Sequence, residues 1–319
     1  MKTIQNVSYG LHRYRDADRN EQFVLSDGTS TIIYDEARWA KALKKMPKGT
    51  RIISSSANPS DIIFKVLEDA GMKVLTAHWH SAGIAKNLSS EEIAAAFAVL
   101  PEEKLKPLVV RQDIMQLKAQ VNLRQAVMEY RKRATLKVKA VERAQGGQSK
   151  WTQESLAEIE AIQDKEESPV DKEIKRLAKK LPECQVLHQL MGAKDAWMSA
   201  AAIVSQIQDV RRFQMVSSLW HYAGLHGPNG RRKKGVPCDW NPKLKVALYL
   251  WATASMKAMS PYFRQRFDRY RAEERAAHAS KCQCSTPDGH STARAMRKVE
   301  KDLLKDFWVE MTRRWEQAA

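Results

Sequence analysis

The stretch that decides the fold is residues 190–225, LMGAKDAWMSAAAIVSQIQDVRRFQMVSSLWHYAGL. Its centre, AWMSAAAIVSQI (196–207), is small and apolar on every side, which a helix tolerates only when it is buried. The run then turns polar through Asp209, Arg211 and Arg212, returns to apolar residues up to Tyr222, and ends on Gly224-Leu225. Next comes a glycine-rich loop, HGPNGRRKKGVPCDW (226–240), with four consecutive cations at Arg231, Arg232, Lys233 and Lys234. Asn241-Pro242 is a helix start, because asparagine caps well and proline suits the first helical position. Helix, turn, helix, basic loop and helix therefore predict a largely helical segment over 183–319. Two further amphipathic helices follow, PYFRQRFDRYRAEERAAHA and ARAMRKVEKDLLKDFWVEMTRRW. Their stripes (Tyr262, Phe263, Phe267, Tyr270; Leu303, Leu304, Phe307, Trp308) are expected to be core.

Working outward toward the N-terminus, residues 106–182 read as a helical hairpin of coiled-coil type. Ile114, Leu117, Val121 and Met128 mark one stripe, and Val170, Ile174, Leu177 and Leu181 the other. Gly146-Gly147 breaks the arms, and Thr152 is expected to cap the second. Residues 1–105 alternate: NVSYGLHRY, EQFVLS and STIIY are strand-like, with Asp27-Gly28 as a hairpin turn. A helix follows with Trp39, Leu43 and Met46 on one face, then strand, helix, strand, and a helix capped at Ser89 or Ser90. The order β-β-β-α-β-α-β-α is that of an RNase H-like (RuvC-like) α/β domain. The expected fold class is α+β, mostly α.

Charge sets the partner class. The chain of 319 residues carries a formal charge of +17 at a pI near 9.7, which favours a polyanion through counterion release. The excess is uneven: residues 1–110 hold 15 Lys+Arg against 13 Asp+Glu, whereas residues 183–319 hold 23 against 13. No apolar run approaches the roughly 18 residues that span a bilayer, and the start of the sequence has no hydrophobic signal block. Four cysteines make no disulfide scaffold. A cytoplasmic protein, away from membranes, is expected.

Asp209, Arg212, Phe213, Tyr222, Gly224 and Leu225, followed by a basic loop and Leu244-Lys245, resemble the C-terminal domain of insertion-sequence transposases that work with a bridge RNA. The order of strand-rich domain, hairpin and helical domain is similar to the same family. The basic glycine loop also looks like that of the Nop domain of box C/D ribonucleoproteins, which clasps kinked RNA. Together these features resemble the Tas proteins of TIGR-Tas systems, in the nuclease-lacking form. The resemblance implies a Nop-like C-terminal domain, a guide RNA and a target DNA as partners, RNA-guided DNA binding without cleavage, and room for a homodimer. Bridge-RNA-dependent transposition or recombination is the alternative it implies. The residues so nominated for RNA are Arg211, Arg212, His221, Gly224, Asn229, Arg231, Arg232, Lys233, Lys234, Asn241, Lys243 and Lys245.

The departures bear on chemistry. Two-metal cleavage needs converging carboxylates on Mg²⁺. Laid on the RNase H pattern, the first position falls at His12 and the second at Ser54, neither a hard anionic ligand. Glu91 and Glu92 begin a helix and suit its dipole; Asp16 and Asp18 reach the first site only by a shift of register. The loop after Gly224-Leu225 lacks the transposase serine, and Cys238 there has no base fixed beside it in sequence. No catalytic residue and no cofactor are nominated. His278, Cys282, Cys284 and His290 form a weak zinc candidate, with no second Cys pair. Ser291 or Thr292 is expected to cap the last helix.

Overall fold

A computed structural model describes residues 8–15, 17–18, 20–55, 62–77, 88–108, 111–193, 195–227, 240–277 and 287–318. The chain divides into two compact units, Met1–Gln112 and Asp113–Ala319. It is α+β and mostly helical, and none of the described helices is long and apolar enough to cross a membrane.

The first unit is built on β1 (Ser8–Arg15), β2 (Glu21–Ser26), β3 (Thr31–Asp35), β4 (Arg51–Ser54), β5 (Lys73–Thr76) and the two-residue β6 (Lys106–Pro107), with helices α1 (Glu36–Lys45), α2 (Ile62–Asp69) and α3 (Ser90–Ala98). The strands lie in the order β3-β2-β1-β4-β5-β6. β1, β2 and β3 are antiparallel neighbours, β4 runs parallel to β1 and β5 parallel to β4. Strand alternation places successive residues on opposite faces. Ile52 and Val74 thus join Leu11, Phe23, Trp39, Phe64 and Leu67 in one core, while Ile53 and Leu75 join Ile93 and Phe97 in another. The β2–β3 turn is made by Asp27, whose carboxylate accepts from the amides of Thr29 (2.9 Å) and Ser30 (2.8 Å), with Gly28 at φ +94°. Asp35 caps α1 by accepting from the Arg38 amide at 2.7 Å. At Gly10 a Cβ would lie 1.8 Å from the Ala94 carbonyl, so only glycine lets α3 press this closely on β1.

The second unit begins with α4 (Gln112–Ala144), which reverses at Gly146 into α5 (Lys150–Ile162), a π turn (Gln163–Glu167) and α6 (Ser168–Lys180). The cap of α5 is Ser149. It shares a capping box with Thr152 at the third helical position, which corrects the expectation that Thr152 caps. Arg124 pairs with Asp171, and Arg131 with Glu167, across the two arms. Ile114 and Leu117 meet Ile174, Leu177 and Ala178 in the main core of this unit. That core is completed by α7 (Pro182–Met191), α8 (Trp197–Ile207), α9 (Val216–Tyr222), α10 (Pro242–Lys257), α11 (Pro261–Ala276) and α12 (Pro287–Ala318).

The apolar run 196–207 is buried as expected, and the stripes of the last helices are core. Phe263, Phe267, Leu303, Leu304 and Phe307 are almost fully enclosed, each contributing roughly 1.5–3 kcal/mol through burial. The polar ends of the ring residues find partners: Tyr262 donates to Asp306 at 2.8 Å, Tyr270 to Asp302 at 2.7 Å, and Trp308 to the Phe213 carbonyl at 3.0 Å. Desolvation, helped by the adjacent Asp306 carboxylate, pushes the Tyr262 hydroxyl well above the usual phenol range. α12 already begins at Pro287, so Ser291 and Thr292 lie inside the helix and cap nothing.

Candidate nucleic-acid interface

The residues on either side of the basic segment form a closed base. Tyr222, at the end of α9, and Asn241, the cap of α10, meet backbone to backbone, the Asn241 amide donating to the Tyr222 carbonyl at 2.7 Å. The Asn241 side chain closes the joint: Nδ2 donates to the Tyr222 hydroxyl (2.9 Å) and to Gln206 Oε1 (3.3 Å), while Oδ1 accepts from the amides of Lys243 and Leu244. The Tyr222 hydroxyl in turn donates to the Gln206 carbonyl at 3.1 Å. Gly224, at φ +69°, brings the backbone against Trp240; a Cβ there would lie 2.5 Å from the indole ring. Lys245 Nζ donates to the Gly224 carbonyl at 3.1 Å and stands 5.3 Å from the Trp240 ring centre. Burial, and then the nearby Arg297, lowers the Lys245 pKa. Before and within this base, the rings of His221 and His226 stack at 3.9 Å.

Asn229, Arg231, Arg232, Lys233 and Lys234, the cations and polar group of the loop itself, lie outside the described residues, as does Cys238. Of the remaining nominated residues, the structure brings Arg212, Gly224, Asn241 and Lys245 together around Tyr222 and Trp240. Arg212 lies over the rings of Phe213 (4.7 Å) and Tyr222 (4.4 Å). Arg211 folds back on the carboxylate of Asp209, with its closest approach at 2.8 Å, and rests on Trp315. Much of its charge is therefore met internally. Gln208, between α8 and this turn, holds φ +63°, a strained setting for a residue with a side chain.

Lys243 is exposed and lies on a groove of about 920 Å³ between α4 and α10. The floor includes Met128, Leu136 and Leu250, and Arg124, Lys132 and Lys139 add cations along it. Sequence reasoning nominated none of these three cations, since helical charges facing solvent carry no mark of what they line. Gln206 was also missed. A glutamine inside an otherwise apolar helical run was the available signal for it.

In the first unit, His12 Nδ1 and Ser55 Oγ are 2.8 Å apart. His12, expected at the first carboxylate position, thus meets the residue that follows Ser54, the one expected at the second. Burial lowers the His12 pKa, opposed by the charge of Glu91 on α3. Glu92 closes a capping box with Ser89, and hydrogen bonding to the carboxyl, first from the Ser89 amide and then from its hydroxyl, holds it below the usual range. A hydrogen-bonded imidazole and hydroxyl with one carboxylate nearby is a poor donor set for Mg²⁺, which prefers oxygen anions. Among the described residues no group of three or more His, Cys, Asp or Glu is placed to hold a metal. His278, Cys282 and Cys284 lie outside the described residues, and His290 sits in the first turn of α12.

No curated protein matches this chain. Residues 184–268, from α7 into α11 and including the whole base of the loop, match the family model described as Transposase IS116/IS110/IS902 family, which relates this segment to those transposases.

Proposed function

We propose that this protein handles DNA together with an RNA bound on its second unit, in the manner of the transposase lineage to which residues 184–268 are related, with RNA-dependent transposition or recombination as its activity. One observation carries the reading. The family match spans the Tyr222–Gln206–Asn241 joint, which holds both ends of a segment carrying four consecutive cations. Glycine admits a phosphate strand close to the backbone and the cations neutralise it. The groove lined by Lys132, Lys139 and Lys243 extends positive charge beside that base. The strand order 3-2-1-4-5, antiparallel then parallel, supports an RNase H-like reading of the first unit. The three-part division at 105 and 182, a Nop-like C-terminal domain, a homodimer and a cytoplasmic setting go with this proposal.

A second reading is favoured by the pair His12–Ser55. Within β1 and just past the end of β4, where cleavage would call for carboxylates, a neutral hydrogen bond stands instead. Under this reading the protein is of the nuclease-lacking Tas kind. It clamps a guide RNA, base pairing reads the target DNA, and the bound target is blocked and left uncut.

One experiment separates the two. The full chain is purified from a nuclease-free lysate, the bound RNA is sequenced, and the complex is given matching DNA and Mg²⁺. Joined or exchanged strands establish the first reading. RNA-dependent retention of intact DNA establishes the second. A preparation free of RNA and indifferent to it refutes both.

A further inference from the structure

A second cavity, of about 510 Å³, opens between α10 and the N-terminal half of α12. Lys245 and Tyr249 face it from α10, and Thr292, Arg297 and Glu300 from α12. Glu300 is 4% exposed. Its carboxyl makes no hydrogen bond among the described residues, and Arg297 and Lys245 act on it only through their field. Two other deeply buried acids of this unit are paired: Glu274 of α11 with Lys298 of α12 at 3.0 Å, and Glu167 with Arg131 at 2.6 Å. A carboxyl largely withdrawn from water with no protein donor is costly, and this one opens on the cavity, where something else can supply the hydrogen bonds. Burial pushes its pKa up to about 7, so both forms are present at neutral pH.

The chemistry of the wall narrows the ligand. Two cations repel a positively charged guest, so the donors offered to Glu300 must be neutral N–H groups on a molecule that is anionic elsewhere. Tyr249, 55% exposed, adds an aromatic ring to the lining. Guanine alone among the common bases presents two adjacent neutral N–H donors on its Watson–Crick edge, matched to the two oxygens of a carboxylate. Its nucleotide adds a planar ring for stacking and a phosphate for the cations, and the cavity falls within the size range of ligand sites.

We propose that this cavity takes an unstacked guanine nucleotide of the bound RNA, with Glu300 receiving the N1 and N2 hydrogens, Tyr249 stacking on the base, and Lys245 and Arg297 meeting the phosphate. The proposal rests on reading the second unit as an RNA binder.

The test uses the full chain stripped of RNA and three labelled pentanucleotides, UUGUU, UUAUU and UUIUU, where inosine removes the 2-amino group. The expected result is binding of the guanine oligomer about tenfold tighter than the adenine one, as a bidentate pair confers, and several-fold tighter than the inosine one. Glu300→Gln is expected to bring all three within about twofold. The inosine comparison needs no variant, so it decides the matter even where Glu300→Gln folds poorly. Equal affinity for guanine and adenine, inosine equal to guanine, or a preference untouched by Glu300→Gln would overturn the assignment. Binding of all three oligomers without preference removes the cavity's role and leaves RNA binding standing. No binding of these oligomers or of cellular RNA removes both.

Discussion

Gly224 is held at φ +69° with an indole where its side chain would be. Gly224→Ala meets both obstacles, the left-handed backbone and the ring, and is expected to cost about 2 kcal/mol or more. Thermal unfolding of the variant should fall by roughly 4–8 °C, and pairing it with Trp240→Ala should recover the part due to the ring. Glu300 makes the opposite prediction. Its folded pKa of about 7 lies above that of an unfolded glutamate. The penalty is therefore absent below about pH 4.3, grows as pH rises, and is complete above pH 7. Glu300→Gln and the parent should be alike in stability at pH 4, and the variant should be more stable at pH 8, by at most roughly 4 kcal/mol. A variant no more stable at pH 8 than at pH 4, relative to parent, would mean that the carboxyl finds a partner in solution.

At the scale of elements, the hairpin of α4 with α5 and α6 is pinned by a partly buried pair. Arg131 Nε stands 2.6 Å from Glu167 Oε1, though out of line for a hydrogen bond, and Nη2 donates to Oε2 at 3.4 Å. Arg131→Ala strands a carboxylate that is 5% exposed. With the arginine itself reached by solvent, the expected loss is about 2 kcal/mol, less than a fully buried pair would show. Arg131→Met with Glu167→Leu should restore most of it in a denaturant titration. The basic loop is tested by changing Arg231, Arg232, Lys233 and Lys234 together to alanine. RNA affinity in filter binding at physiological salt should drop at least tenfold, with a shallower dependence on salt. Unchanged affinity would remove the loop from the interface. The elements themselves were largely legible, because Trp39 with Leu43, Asn241-Pro242 and the 196–207 run each carry one dominant physical signal. Ser149 and the start of α12 were not. Two hydroxyl residues three apart offer rival caps, and the chain can begin a helix at Pro287 ahead of Ser291. Legibility of the site ran the same way. Cations in a row announce themselves, whereas Gln206, Ser55 and Glu300 acquire meaning only from residues distant in sequence.

For the whole molecule, the division at Gln112 and Asp113 coincides with an asymmetry of charge. Residues 1–110 are nearly balanced, while residues 111–182 hold 16 Lys+Arg against 11 Asp+Glu and residues 183–319 a still larger excess. The fragment 113–319 holds a complete core of its own. Expressed alone, it should melt cooperatively and bind RNA with a salt slope close to that of the full chain. A slope less than half as steep would move a major share of the phosphate contacts to the first unit. The joint of Tyr222 with Asn241 has a further consequence for how such chains diversify. With both ends of the loop fixed by that joint, the segment between them is free to vary as a cassette: doubling its length adds only about 0.6 kcal/mol of closure entropy. Insertions there would leave the scaffold unchanged, so homologues should differ in the length of this segment far more than in the helices on either side.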